Sequence, residues 1–288
     1  MNNLGLIASI RKKYHIAICS KLLGTTRGYP NIADKSSKSS IKIAKGVIEK
    51  LKLPLCKKPP SSQTIGSKFS QLTMEYLNDS FLYLNHLRPG DWLFTASQGR
   101  IGIAAYDQYS HLIDLNKLAK KYKELAAILG GDYLITPDIV VARYPIKDSE
   151  INQAHKLIDK KSRVARYTPL RSSNIKENNA ILHASISCKW TIRSDRTQNT
   201  RTEALNLIRN RKGNTPHIVA VVAEPLPSRI ASIAMGTGDI DCVYHFALDE
   251  LLQTLLEDDL PDQLELLTGL IDGRRLRDIS DLVFDLAI

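Results

Sequence analysis

Three positions in this chain have residue types and spacing suited to chemistry on a phosphodiester. Asp138 follows Pro137 at the mouth of a continuous apolar run, where an ionised carboxylate is costly unless it is paired or holds a metal. Lys189 belongs to LHASISCKWTI, in which Leu182, Ala184, Ile186, Cys188, Trp190 and Ile192 alternate with polar residues, the period of a β-strand. Ser187 and Lys189 therefore share its polar face, with Arg193 following on the same side. Glu203 comes next, on a basic segment whose Ala204, Leu205 and Ile208 recur at helical spacing. If the two strands are neighbours, a carboxylate and an ammonium converge at one edge of a sheet, and Glu203 can approach from the following helix. An acidic pair holding Mg²⁺ beside a lysine meets the requirement for hydrolysing a phosphodiester, and Cys188 would offer the metal only its backbone carbonyl. Each residue also has a plainer reading. Pro-Asp is common at strand starts, and Thr200-Arg201-Thr202-Glu203 matches a capping box, which would make Glu203 a helix cap.

The elements that must position these residues alternate. Helices are expected over 2–23, 41–51, 66–86, 101–129 with an interruption near Tyr122, 149–159, 248–256 and 262–271. Residues 24–40, GTTRGYPNIADKSSKSS, read as a long polar loop, and 160–179 as irregular. ITPDIVVARYP and HIVAVVAEP are continuous apolar runs of the kind that form strands covered on both faces, and IDCVYHF is a further candidate. Gly236-Thr237-Gly238 reads as a turn before it. The pattern indicates an α/β fold, a mixed central β-sheet flanked by helices, in a single domain spanning 1–288.

The net charge is +10, but residues 249–288 hold eleven acids against three arginines, which leaves +18 on the first 248. A positive surface of that size suits a polyanion, and nucleic acid is the commonest such partner. The basic strand-to-helix junction after Lys189 suits phosphate. No apolar run reaches membrane-spanning length and Arg11, Lys12 and Lys13 interrupt the first helix, so a cytoplasmic protein is expected. The four cysteines lack the paired spacing of zinc sites.

Together, Pro137-Asp138, Ser187-Cys188-Lys189 and Glu203 resemble the rearranged active site of certain type II restriction endonucleases in the PD-(D/E)xK nuclease superfamily. In these a serine stands two residues before the lysine and the carboxylate has moved to the next helix. The likeness is to the members that read a CCGG core, GCCGGC in particular. It extends over nearly the whole chain, through NIAD, Gln63-Thr64 with Gly66 and Phe69, RPGDW, ITPDI, LHASISCKWTIRSDR, RNRKG, PSRI, TGDIDCVYHFAL and DISDL. The resemblance implies a restriction-endonuclease-like fold and a Mg²⁺-dependent endonuclease with a two-metal site. Asp138, Lys189 and Glu203 would be catalytic, Asp138, Glu203 and the Cys188 carbonyl would hold metal, and Ser187 would fill the vacated acid position. It implies that Arg193, Asp195 and Arg196 read the CCGG core of double-stranded DNA, as suits arginine forks on guanine and an aspartate accepting from cytosine. By the same logic Asp34 and Arg229 would read the outer G·C pair, with Gln63 a minor-groove contact. Cleavage leaving four-base 5′ overhangs and assembly as a homodimer or homotetramer follow from the same resemblance. One departure stands out. The family pattern continues from Phe69 to glutamate, and this chain has Ser70. Glu75 lies about 140° further round a helix and cannot replace it. A sequence-specific DNA-binding protein that no longer cuts is the alternative expectation.

Overall fold

The computed structural model describes residues 5–96, 102–122, 124, 134–159, 161, 163–174, 179–236 and 238–288, with the backbone alone for 194–197. Its centre is a six-stranded sheet of β3 (Trp92–Thr95), β4 (Ile139–Arg143), β5 (Ile181–Lys189), β6 (His217–Val222), β7 (Cys242–His245) and β8 (Leu276–Asp278), arranged in chain order. The pairs β3/β4 and β4/β5 are antiparallel, whereas β5 to β8 run parallel. Parallel neighbours need crossovers, and helices supply them. Between β5 and β6 lies α6 (Ser194–Asn210), between β6 and β7 lies α7 (Pro227–Ala234), and α8 (Leu248–Glu257) and α9 (Pro261–Asp272) lie between β7 and β8. Among the described residues the other α-helices are α1 (Leu6–Lys21), α2 (Lys38–Leu51), α3 (Ile65–Phe81), α4 (His111–Lys121), the single turn α5 (Asp148–Ile151) and α10 (Ile279–Asp285).

The apolar runs are buried as their patterns require. Residues 139–142 of β4 and 218–222 of β6 are buried throughout. In β5 the even positions Leu182, Ala184, Ile186 and Cys188 face the core. Helix α3 turns Phe69, Leu72, Tyr76 and Leu77 inward and packs across β3, β4 and β5, with the Phe69 and Trp190 rings 5.3 Å apart and edge to face. Tyr14 on α1 meets it through its ring, 4.9 Å from that of Tyr76, and through its hydroxyl, 2.9 Å from Thr73 Oγ1. Helices α2 and α8 approach so closely at Gly46 that a Cβ there would stand 2.2 Å from Thr254 Cγ2. The two ends of the chain are tied by Arg11, whose guanidinium donates to Asp278 at 2.7 and 2.9 Å and to Glu250 at 2.8 and 2.9 Å.

Several elements differ from expectation. The polar stretch 24–40 is not one loop. Thr25–Thr26 and Tyr29–Pro30 form a tight hairpin, β1 and β2, around Arg27 and Gly28 at φ 53° and 87°. Helix α2 then starts at Lys38, with Ser37 Oγ accepting from Ser40 N at 3.2 Å. The helix expected over 149–159 stops after one turn because the Asn152 carboxamide folds the chain back, accepting from Leu157 N and Ile158 N and donating to Ile158 O. Helix α3 ends at Phe81 and continues as one 3₁₀ turn, Leu82–Leu84. In 101–129, short 3₁₀ turns at Gly102–Ala105 and Asp107–Tyr109 precede α4, and most of 123–129 lies outside the described residues. Of the Gly236-Thr237-Gly238 turn, Thr237 also lies outside them. Among the described residues no helix is long and apolar enough to cross a membrane.

Candidate active site and recognition groove

The register of β4 on β5 pairs Ile139 with Ile186, and continuing it brings Asp138 level with Ser187. Asp138 Oδ2 accepts from Cys188 N at 2.7 Å and from Lys189 Nζ at 3.3 Å. The carboxylate is thereby fixed to the strand that carries the lysine. Glu203 is half-buried on α6. Burial raises its carboxyl above the ordinary range, Lys189 draws it back, and Asp138 pushes it up again. Both carboxylates and the ammonium thus lie within electrostatic reach of one another. The Ser187 hydroxyl is buried and has no protein partner among the described residues.

Helix α6 starts at Ser194, six residues before Thr200. Thr200 is therefore inside the helix and buried, and the capping-box reading of Thr200 to Glu203 is overturned. Glu203 faces the cleft instead. Asp195 and Arg196 lie in the first turn of α6, but their side chains fall outside the described residues. Arg193 precedes that turn and is exposed.

Two open clefts lie side by side at the carboxyl end of β5. One, of about 750 Å³, includes Gln63, Cys188, Lys189, Arg193, Asn199 and Glu203. The other, of about 950 Å³, includes Asp34, Ile192, Arg193, Gln198 and Arg229. They share Tyr29, Ala33, Thr191 and Arg193, so Lys189 and Glu203 on one side and Asp34 and Arg229 on the other border one continuous groove. Asp34 and Arg229 are ion-paired, and Arg229 also donates to Ile192 O at 3.3 Å. Asp34 accepts from Ser36 N and Oγ at 3.0 and 2.7 Å, and these bonds, with Arg229, hold its carboxyl below the ordinary value.

Two groove residues, Gln198 and Asn199, and one buried behind the groove, Glu224, have no counterpart in the sequence reading. Gln198 and Asn199 were missed because the first turns of α6 have no buried apolar period. Glu224 ends the apolar run of β6 much as Asp138 begins that of β4, which was a usable signal. It is fully buried and accepts from Ile192 N at 2.9 Å and Leu226 N at 3.3 Å.

The donor set at Asp138 and Glu203 is oxygen, which fits a hard divalent cation such as Mg²⁺, held by one or two carboxylates with water completing the shell. The Cys188 side chain belongs to the buried apolar face, beside Ser70, so sulfur does not enter the set. Ser70 itself is 4% exposed and donates to Gly66 O at 3.0 Å.

A family model described as NgoMIV restriction enzyme matches residues 14–288. The Type II restriction enzyme NgoMIV of Neisseria gonorrhoeae is 51% identical over 269 residues, 93% of each chain. Among solved structures, the Type IIF restriction endonuclease Bse634I with cognate DNA is 15% identical, covers 96% of this chain and 91% of its own, and has a TM-score of 0.36. A second Bse634I structure is 13% identical over 87% and 91% of the two chains, also at 0.36. Structural likeness at that level carries no weight beside the sequence match. Because half of the residues agree along almost the full length, this chain belongs to the NgoMIV family of type II restriction enzymes.

Proposed function

We propose that this type II restriction endonuclease cuts double-stranded DNA at GCCGGC, or a close variant with a CCGG core, by Mg²⁺-dependent hydrolysis that leaves four-base 5′ overhangs. The observation that carries the reading is the joining of Asp138 to Lys189 and Cys188 N, with Glu203 facing them across the groove. Asp138, Glu203 and the Cys188 carbonyl hold the metal, as one or two ions. Mg²⁺, when bound there, stabilises the charge that builds on the phosphate and lowers the pKa of the attacking water. Lys189, restrained by Asp138, places its ammonium on a non-bridging oxygen and on the nucleophile. Ser187 fills the vacated acid position, its hydroxyl buried and without a protein partner among the described residues. Arg193, Asp195 and Arg196 read the core, Asp34 and Arg229 the outer G·C pair, and Gln63 touches the minor groove. Arginine forks on guanine O6 and N7, and carboxylates on cytosine N4, are the matching chemistry. A two-fold symmetric target needs at least a homodimer, and two dimers back to back make the homotetramer. Incubating plasmid DNA with the protein and Mg²⁺, then sequencing the ends, tests this. Overhangs within GCCGGC are expected. Random breaks would refute the specificity, and tight specific binding without breaks would favour the non-cutting reading that Ser70 raises.

A further inference from the structure

Glu224 has no part in the scheme above, yet it is fully buried at the junction of the two base-reading segments. It lies two residues beyond β6, and its carboxylate spans two neighbouring strand ends. Oε2 takes the N–H of Ile192, the residue before Arg193 and the entry to α6, at 2.9 Å. Oε1 takes the N–H of Leu226, the N-cap of α7, at 3.3 Å. Arg229, on the first turns of α7, stands 4.0 Å from Oε2 and donates to Ile192 O at 3.3 Å. Ile192 is therefore gripped on both sides, at its N–H by Glu224 and at its carbonyl by Arg229.

The Arg229 guanidinium also pairs with Asp34. To reach base edges, these two must give up part of that contact, and Glu224 is the anion that stays behind Arg229 when they do. We propose that Glu224 is a positioning residue that couples readout of the outer base pair to readout of the core, by locking the Arg229 side chain and the Ile192–Arg193 backbone into one unit. The inference rests on the assignment of Asp34 and Arg229 to the outer pair and of Arg193 to the core.

Burial pushes the Glu224 carboxyl up to about 7, against the N–H groups of Ile192 and Leu226 and the charge of Arg229, and Asp34 adds to the rise. The other groups facing the junction hold their charge across the neutral range. Arginine does not titrate there, Asp34 is held below the ordinary carboxylate value, and His245, which bonds the Glu224 carbonyl at 3.2 Å, is kept neutral by burial with a pKa of about 4. Below pH 7 the carboxyl takes a proton, its hold on Arg229 and on two N–H donors weakens, and the coupling is lost.

The test is equilibrium binding, without metal, of the full protein to four duplexes: GCCGGC, an outer-pair change (ACCGGT), a core change (GCATGC), and random sequence. The variant is Glu224→Gln, which keeps the shape and removes the charge. Expected is a fall of about tenfold in discrimination at the outer and core positions together, a sizeable share of what one base contact supplies, with affinity for random duplex unchanged. In the unmodified protein, both discrimination ratios should fall as pH drops through 7, and in Glu224→Gln they should be flat. The pH arm stands even if the variant folds poorly. Unchanged discrimination in Glu224→Gln, loss at the outer pair alone, uniform weakening on all four duplexes, or a flat pH response of the unmodified protein each overturns the proposal. The unmodified protein at pH 8 tests the underlying assignment separately: no preference for GCCGGC over the other duplexes refutes that assignment itself, whereas a strong preference shared by the variant refutes only the role of Glu224.

Discussion

Replacing Lys189 with alanine should separate cutting from binding. The Lys189–Asp138 contact is 3.3 Å, with 18% of the lysine and 39% of the aspartate side chain exposed. An ion pair that open to solvent contributes about 0–1 kcal/mol to folding, and screening at Asp138 places this one toward the low end. Lys189→Ala should therefore melt within about 2–4 °C of the parent. The loss in the transition state is much larger. A preorganised donor aimed at developing charge is worth roughly 2.7–4 kcal/mol, or about 10²–10³ in rate. In the proposed scheme the bases are read by residues at other positions, so the ratio of cognate to random affinity should hold, while both affinities drop together by the share of one phosphate contact. Single-turnover cleavage of a duplex with one GCCGGC site, under excess enzyme and Mg²⁺, measures the first effect, and fluorescence anisotropy without metal measures the second. Cleavage within about tenfold of the parent would refute the placement of Lys189 on the reacting phosphate. Collapse of the cognate-to-random ratio along with cleavage would assign the lysine to recognition instead.

Arg196→Ala should cost about 1–3 kcal/mol of discrimination at a core guanine; a variant weakened equally on specific and random duplex would mean that Arg196 touches only phosphate. Ser70→Glu buries a carboxylate beside Cys188. Without metal it should destabilise by about 1–3 kcal/mol, while Mg²⁺ should raise its melting temperature more than the parent's and support half-maximal cleavage at about tenfold lower concentration. An unchanged metal titration would show position 70 to be dispensable. Arg11→Ala leaves two half-buried carboxylates without their cation and should cost about 1–3 kcal/mol in a denaturant titration. Burial pushes Glu250 and Asp278 up, but the hydrogen bonds and charge of Arg11 outweigh it and hold both below their ordinary values. Their stabilisation is therefore present above pH of about 4 and lost as pH falls through the depressed values. Arg11→Ala should flatten that acid limb, and an unaltered limb would place the acid sensitivity elsewhere.

What could be read beforehand depended on burial. The alternation in LHASISCK is visible because one face of β5 meets the core, and the continuous runs of β4 and β6 because both faces do. Periodicity reports only surfaces that pack on protein. Gln198 and Asn199 of α6 line the groove, and SDRTQNT, with no apolar stripe, reads as a turn, so the four residues TRTE imitate a helix start six positions late. Short elements escaped for a different reason. WLFT in β3 and LRD in β8 have too few residues to establish a period, and only pairing with β4 and β7 makes them strands. Asp138, Lys189 and Glu203 were legible as types from spacing, but as one site only through the family resemblance, because the distance from Asp138 to Lys189 depends on a strand register that neither segment encodes alone.

Lys189 and Arg193 are four residues apart on one run of backbone, pinned at its start by Ala223 N on Lys189 O, 3.0 Å, and near its end by Glu224 on Ile192 N. The residue proposed to serve the phosphate and the first residue proposed to read the core therefore cannot move independently. A change that re-aims the segment toward a different core would also displace the lysine, and a lineage or an engineer taking that route loses activity before gaining a new target. Asp34 and Arg229 sit on separate segments, the approach to α2 and the start of α7. Because Arg229 also holds Ile192 O, a change there would disturb the core segment too, so in the proposed scheme diversity at the flanks of the target should enter first through Asp34, with the central four base pairs inherited as a block.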